Sequence, residues 1–137
     1  MELSINYLAV LIAAVASFAF GALWHSPLGF GAHWQKLMEF TPESFKKMPL
    51  TPVQAMLIGF IVTVLFSYVL GYFVVLANAA TFAAALSVGF WVWLGFVATT
   101  LAGGWLWEGK SIKLFLFNAA YQLISIEIMA AVLGLWR

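Results

Sequence analysis

Cysteine and aspartate are both missing from this sequence, and charge of either sign is scarce: six Lys or Arg and five Glu in 137 residues. Without cysteine there is no disulfide, no thiolate metal site and no cysteine nucleophile. Without aspartate there is no Ser-His-Asp set, and no phosphate loop or pair of acids within one apolar segment is present either. Charged residues amount to 8% of the chain, where a soluble domain carries about 25%. A formal charge of +1 supplies no basic face for nucleic acid. The two histidines, His25 and His33, are not spaced with Glu39 or Glu43 as metal ligands are. The expectation is a protein that is not an enzyme, with no cofactor and no metal.

What fills the chain instead is apolar. Hydrophobic residues make up 65% of it and the mean hydropathy is +1.04. A domain this small leaves a large share of its surface exposed, so lipid rather than water must be its solvent. Crossing the hydrocarbon layer takes about 20 mainly apolar residues, and four segments qualify: 4–24, 52–77, 82–107 and 112–136. The fold expected is all-α: a single domain, 1–137, forming an integral membrane bundle of four transmembrane helices. The first apolar run follows Glu2, without the positive leading region of a signal peptide, and is long enough to span. It reads as a retained helix.

Local chemistry marks the span ends. Thr51-Pro52-Val53-Gln54 is a capping box with proline at the first helical position. Gly109 can end the third span and Ser111 can cap the fourth. The turn at 78–81 is short enough to make spans two and three an antiparallel hairpin. Lys36, Lys46, Lys47, Lys110 and Lys113 all fall on one side of a four-span chain, with Arg137 alone on the other. Cytoplasmic loops carry the excess of Lys and Arg. The lysine side is therefore expected in the cytoplasm of an inner (plasma) membrane protein, with both termini outside. Trp24, Trp34, Trp105 and Trp107 would form the inner aromatic belt, and Trp136 part of the outer one. In the first loop, residues 29–40 carry Phe30, Trp34, Leu37 and Met38 beside His33 and Lys36, the pattern of a short amphipathic helix lying in the interface. Thr41-Pro42-Glu43 looks like a second helix start.

Lipid removes the hydrophobic drive between helices, so close packing relies on small residues. The second span has Ala55, Gly59, Thr63, Ser67 and Gly71 at every fourth position; the third has Gly95, Thr99 and Gly103; the first has Asn6, Ala9, Ala13, Ala16 and Phe20, flanked by Ser17 and Gly21. These are packing surfaces first, and their number points towards homo-oligomers. Glu127 is the one acid inside a span. Intramembrane ionisable groups cost on the order of 3 kcal/mol and are functional candidates by default. Counting depth along the other spans places Trp91 and Tyr68 level with it. The expectation is a polar layer of Glu127, the Trp91 indole and the Tyr68 hydroxyl, with Glu127 a neutral acid. A satisfied structural carboxyl and an ion-coupling group both fit that placement. A second expected cluster joins Asn118 and Gln122 to Thr99, Thr100 and Thr63 as interhelical hydrogen bonds. Two polar faces on the fourth span place it at the centre of the bundle.

Asn6-Tyr7, Gly21-Ala22-Leu23-Trp24, Ser26-Pro27-Leu28, Phe30-Gly31 and Trp34 resemble a bacterial family of small four-helix membrane proteins. So do Trp93-Leu94-Gly95-Phe96, Thr99-Thr100, the Phe-rich stretch at 113–117, Asn118-Ala119-Ala120-Tyr121 and Leu135-Trp136. The family is catalogued as the domain of unknown function 1761. Its pattern has Tyr where this chain has His25. The resemblance covers nearly the whole chain and implies a stand-alone membrane protein without an assigned reaction. Three functions fit: a non-enzymatic, self-associating or accessory protein; a small oligomeric transporter or channel protomer with a pathway near Glu127, its substrate or ion unknown; or a lipid-binding protein with a groove beside the amphipathic loop. The bilayer is the one certain partner, and a second copy of the chain the next.

Overall fold

The structure, a computed structural model, describes residues 4–136; Glu2 and Arg137, used above in reading the termini, lie outside them. Every regular element among the described residues is helical. In chain order these are α1 (Tyr7–Trp24), the short α2 (Gly31–Leu37) and α3 (Pro42–Lys46), α4 (Pro52–Leu76), α5 (Phe82–Val92), α6 (Thr99–Trp107) and α7 (Ile112–Leu135). A π-helical stretch, Trp93–Ala98, joins α5 to α6. Four units are long and apolar enough to cross a membrane: α1, α4, the continuous Phe82–Trp107 rod and α7. The short α2 and α3 fill the first loop, as its pattern predicts.

The ends form where side chains can satisfy free backbone groups. The Gln54 N–H donates to Thr51 Oγ1 at 3.2 Å while the Thr51 N–H donates to Gln54 Oε1 at 3.0 Å. Ser111 Oγ accepts from the Leu114 N–H at 3.1 Å. Gly109 has φ of +71°, the left-handed turn that favours glycine after a helix. Asn6 caps α1 through Ala9 N–H, and its amide donates to the Trp136 carbonyl at 3.3 Å, which ties the start of α1 to the end of α7.

The third span departs from the uniform α-helix expected of it. A π turn shifts the backbone ladder from i−4 to i−5 partners. Thr99 Oγ1 donates to the Gly95 carbonyl at 2.7 Å and Thr100 Oγ1 to the Phe96 carbonyl at 2.6 Å, so both hydroxyls serve carbonyls of the widened stretch.

α7 is the central helix, packed against α1 on one side and α5 on the other. α4 packs chiefly on α1, not on its hairpin neighbour α5. The reason is the placement of small residues. At Gly134 a side chain would overlap the Ala85 methyl, and at Gly71 it would come 3.3 Å from Leu133 Cδ2. These close approaches surround a buried core that includes Ala9, Ala13, Leu70, Val74, Ile126 and Ala130. The three buried serines are paired: Ser67 Oγ donates to the Val10 carbonyl at 2.9 Å, and the Ser17 and Ser125 hydroxyls share a bond of 2.5 Å.

Candidate functional site

α4 does not pack along its whole length. Ser67, Leu70, Gly71 and Val74 are buried, whereas every residue from 52 to 58 is exposed. α4 therefore stands off from α1 and α7 at the lysine-bearing end, and the gap is a cleft of about 690 Å³. Phe18 and Phe60, edge to face at 5.6 Å, bridge α1 and α4 beside it. Phe66 and Met129 line its deep part, the Ser17–Ser125 pair its middle, and His25 with Trp34 of α2 its loop end.

The loop end is built by the motif that follows α1. Ser26 Oγ donates to the Leu23 carbonyl at 2.7 Å, and the Phe30 N–H reaches back to the Trp24 carbonyl at 2.7 Å. The reversal is so tight that a side chain at Gly29 would strike the Leu23 and Trp24 carbonyls, and one at Gly31 the His25 and Ser26 carbonyls. Folded back in this way, α2 sets Trp34 edge to face on His25 at 4.9 Å, and His25 on Tyr121 at 4.7 Å. His25 Nδ1 lies 2.8 Å from the Gly21 carbonyl. A carbonyl only accepts, so Nδ1 carries the hydrogen, and Nε2 is the ring nitrogen left to accept when the ring is neutral. Tyr121 fits against α1 because residue 21 is glycine; its hydroxyl occupies the place of a Cβ.

The expected polar layer is not assembled. The Glu127 Oε1 is buried without a hydrogen-bond partner, against the Cα of Gly89 on α5. Trp91 follows Gly89 by two residues, about 200° round the helix. It therefore turns outward, 64% exposed, against Phe90. Tyr68 is 38% exposed and stacks on Tyr7. Depth counting placed the three at one level, but rotation about each axis separates them. The indole that does cross between helices is Trp93, whose N–H donates to the Ala119 carbonyl at 2.8 Å.

The second expected cluster also divides. Thr63, Thr99 and Thr100 each bond to the carbonyl four residues back on their own helix, so none forms an interhelical bond. Gln122 and Thr63 face the cleft. Asn118 and Thr100 line a separate hollow of about 150 Å³, with Glu108 and Lys110, between α6 and α7. Among the tryptophans expected as anchors, Trp107 is 86% exposed, and Trp105 and Trp136 are exposed, Trp105 stacking on Phe115. Trp34 is half-buried in the cleft wall. Trp24 belongs to an inward cluster, 4.5 Å from Phe30 and 5.4 Å from Phe117 between ring centroids, with its indole N–H buried and unpartnered. Ser17, Ser125, Gly21 and Tyr121, which shape the cleft, drew little notice in the sequence; the pairing of Gly21 with a bulky Tyr121 becomes visible only once α1 and α7 are known to touch.

Four membrane-length helices with a side cleft at one end define a small multi-pass helical membrane protein. A family model described as "Protein of unknown function (DUF1761)" matches residues 8–134, and the chain belongs to that family. No curated protein and no solved structure matches it.

Proposed function

We propose that the protein is a non-enzymatic inner-membrane protein that holds one membrane lipid in the cleft between α1, α4 and α7. In this reading both termini lie outside and the cleft opens in the cytoplasmic half of the bilayer. The observation that carries it is the stand-off of α4. Helix interiors pack to a density of about 0.74, and a purely structural bundle would close a gap of about 690 Å³. That volume falls in the range of about 300–1,000 Å³ typical of small-molecule sites. Its wall is largely apolar with a few polar groups, the usual composition of such a site. A lipid tail gains little by leaving the bilayer, since hydrocarbon is as apolar as leucine; cleft shape and the polar groups set the selection.

Native mass spectrometry of the protein purified in mild detergent tests this, with one lipid bound per chain expected. A Cβ at Gly59 would lie 3.9 Å from Phe18 Cε2, an ordinary contact. Gly59 lines the cleft, so Gly59→Leu should fill part of it and displace the lipid; Trp34→Ala should weaken its retention. A lipid-free wild-type chain overturns the proposal.

A second reading, self-association, is favoured by the outer face of the third span. Gly95 and Gly103 have no atom within 4 Å of the place of a Cβ, and Thr99 is exposed. The mass in mild detergent reads this directly, a dimer or larger supporting it. Transport beside Glu127 has no such support, because Glu127 faces α5 while the cleft lies on the α1–α4 side of α7. Accessibility of a tag at either terminus from outside the cell tests the orientation.

A further inference from the structure

We infer that the lipid taken by this cleft is an uncharged amphiphile with a hydroxyl head, the chemical class of diacylglycerols and long-chain isoprenoid alcohols, held with its head at His25 and Gln122. The inference rests on the reading of the cleft as a lipid site and names what that site selects.

Charge is the first discriminator. Among the described residues, no Lys, Arg, Glu or Asp lines the cleft. Lys110 and Glu108 belong to the other hollow, between α6 and α7. An ionised phosphate or carboxylate head bound here would give up water contacts at the interface with no cationic side chain in the lining to replace them. A neutral head carries no such cost.

Hydrogen-bonding capacity is the second. Ser17 and Ser125 satisfy each other, and Thr63 is engaged by the Gly59 carbonyl. His25 and Gln122, with the Tyr121 hydroxyl and the donor-only Trp34 indole, are then the lining side chains left to read a head group. The Nδ1–H of His25 is directed to the Gly21 carbonyl, which leaves Nε2 as the nitrogen that accepts when the ring is neutral. Gln122 has both amide donors and a carbonyl acceptor. A hydroxyl donates one hydrogen bond and accepts others, so it can satisfy both residues. The carbonyls of a quinone only accept and would leave Nε2 without a donor. Polarity also falls in the right direction along the cleft. His25 and Trp34 sit at the loop end, where a head reaches the interface, and Phe66 and Met129 lie at the deep end, where a tail would run.

The test is a titration of the purified full-length protein in mild detergent, followed by native mass spectrometry, with four probes: dioleoylglycerol, geranylgeraniol, a short-tailed menaquinone and dioleoylphosphatidylglycerol. The two hydroxyl probes are expected to bind at least tenfold more tightly than the quinone and the phospholipid, and comparing them shows whether a glycerol or an isoprenoid source is preferred. His25→Phe and Gln122→Leu are each expected to bring the hydroxyl probes down to the quinone's level without changing its binding. If His25→Phe fails to fold, Gln122→Leu carries the test alone. Quinone or phospholipid bound as tightly as the alcohols overturns the head-group inference and leaves the lipid cleft standing. No binding of any probe, and no effect of Gly59→Leu, overturns both.

Discussion

Replacing Gly21 by alanine asks how closely α1 and α7 are held, and the answer can be worked out from one contact. A Cβ at position 21 would fall on the Tyr121 hydroxyl, with the ring carbons Cζ and Cε1 at 3.4 and 3.6 Å. Tyr121 has little room to retreat: its ring is stacked on Phe20 at 5.8 Å, 5.9 Å from Trp24 and edge to face with His25. Forcing an extra methyl into such packing costs roughly 1–3 kcal/mol, while exchanging glycine for alanine within a helix returns up to about 1 kcal/mol. The net expectation for Gly21→Ala is a loss of roughly 1–2 kcal/mol. Tyr121→Phe removes the atom that collides and leaves ring carbons at ordinary contact distance. In that background Gly21→Ala should be nearly neutral, which makes the coupling between the two sites about 1 kcal/mol or more. Reversible unfolding in mixed micelles of dodecyl sulfate, followed by circular dichroism, measures all four corners of the cycle. An equal penalty for Gly21→Ala with and without the tyrosine hydroxyl would refute the contact and the α1–α7 register built on it.

Other glycines sort in the same assay. Gly134→Ala meets the methyl of Ala85, which has no rotamer to move, and should cost about 1–3 kcal/mol, whereas Gly103→Ala meets nothing within 4 Å and should be neutral or slightly stabilising; a reversed order would contradict the α5–α7 crossing. Ser17→Ala and Ser125→Ala should each cost roughly 0.5–2 kcal/mol, with the double variant scarcely worse than either, because both delete one shared bond. Additive losses would show that the two hydroxyls act separately. Glu127→Gln keeps the shape that fits against Gly89 and should leave the unfolding midpoint unchanged. Gly89→Ala, which puts a methyl where the carboxyl oxygen sits and 3.0 Å from Ala130 Cβ, should lower the midpoint. A stable Gly89→Ala protein would argue against that packing.

Small residues at every fourth position were visible along α4, and the structure shows why they serve two purposes. Ser67 and Gly71 bury against neighbouring helices, while Ala55, Gly59 and Thr63 line the cleft. A periodic stripe identifies a face, but whether a partner reaches that face depends on the tilt of the helix, which no local pattern encodes. The stripe on α1 reads nearly as it packs, with Ala9, Ala13, Ser17 and Gly21 buried and Phe20 only half so. Along the stripe on the third span, Gly95 and Gly103 meet no packed neighbour among the described residues and Thr99 is exposed. Glu127 is the one carboxyl inside a span, and the tertiary arrangement sets it against a glycine instead of two aromatic donors.

By itself the sequence determined the solvent-avoiding character of the chain, the number and limits of its long helices, the capping box at Thr51, the stop at Gly109 and the two short helices of the first loop. Each of these follows from composition or from interactions within a few residues, so the information is local. Only the tertiary structure decided which helix is central to which neighbours, that α4 stands away from the bundle at one end, that Trp24 turns inward, and that a π turn interrupts the third span. Those outcomes depend on the rotation and tilt of each helix, and these are set by contacts between residues far apart in the chain, Gly21 with Tyr121 and Gly134 with Ala85 foremost.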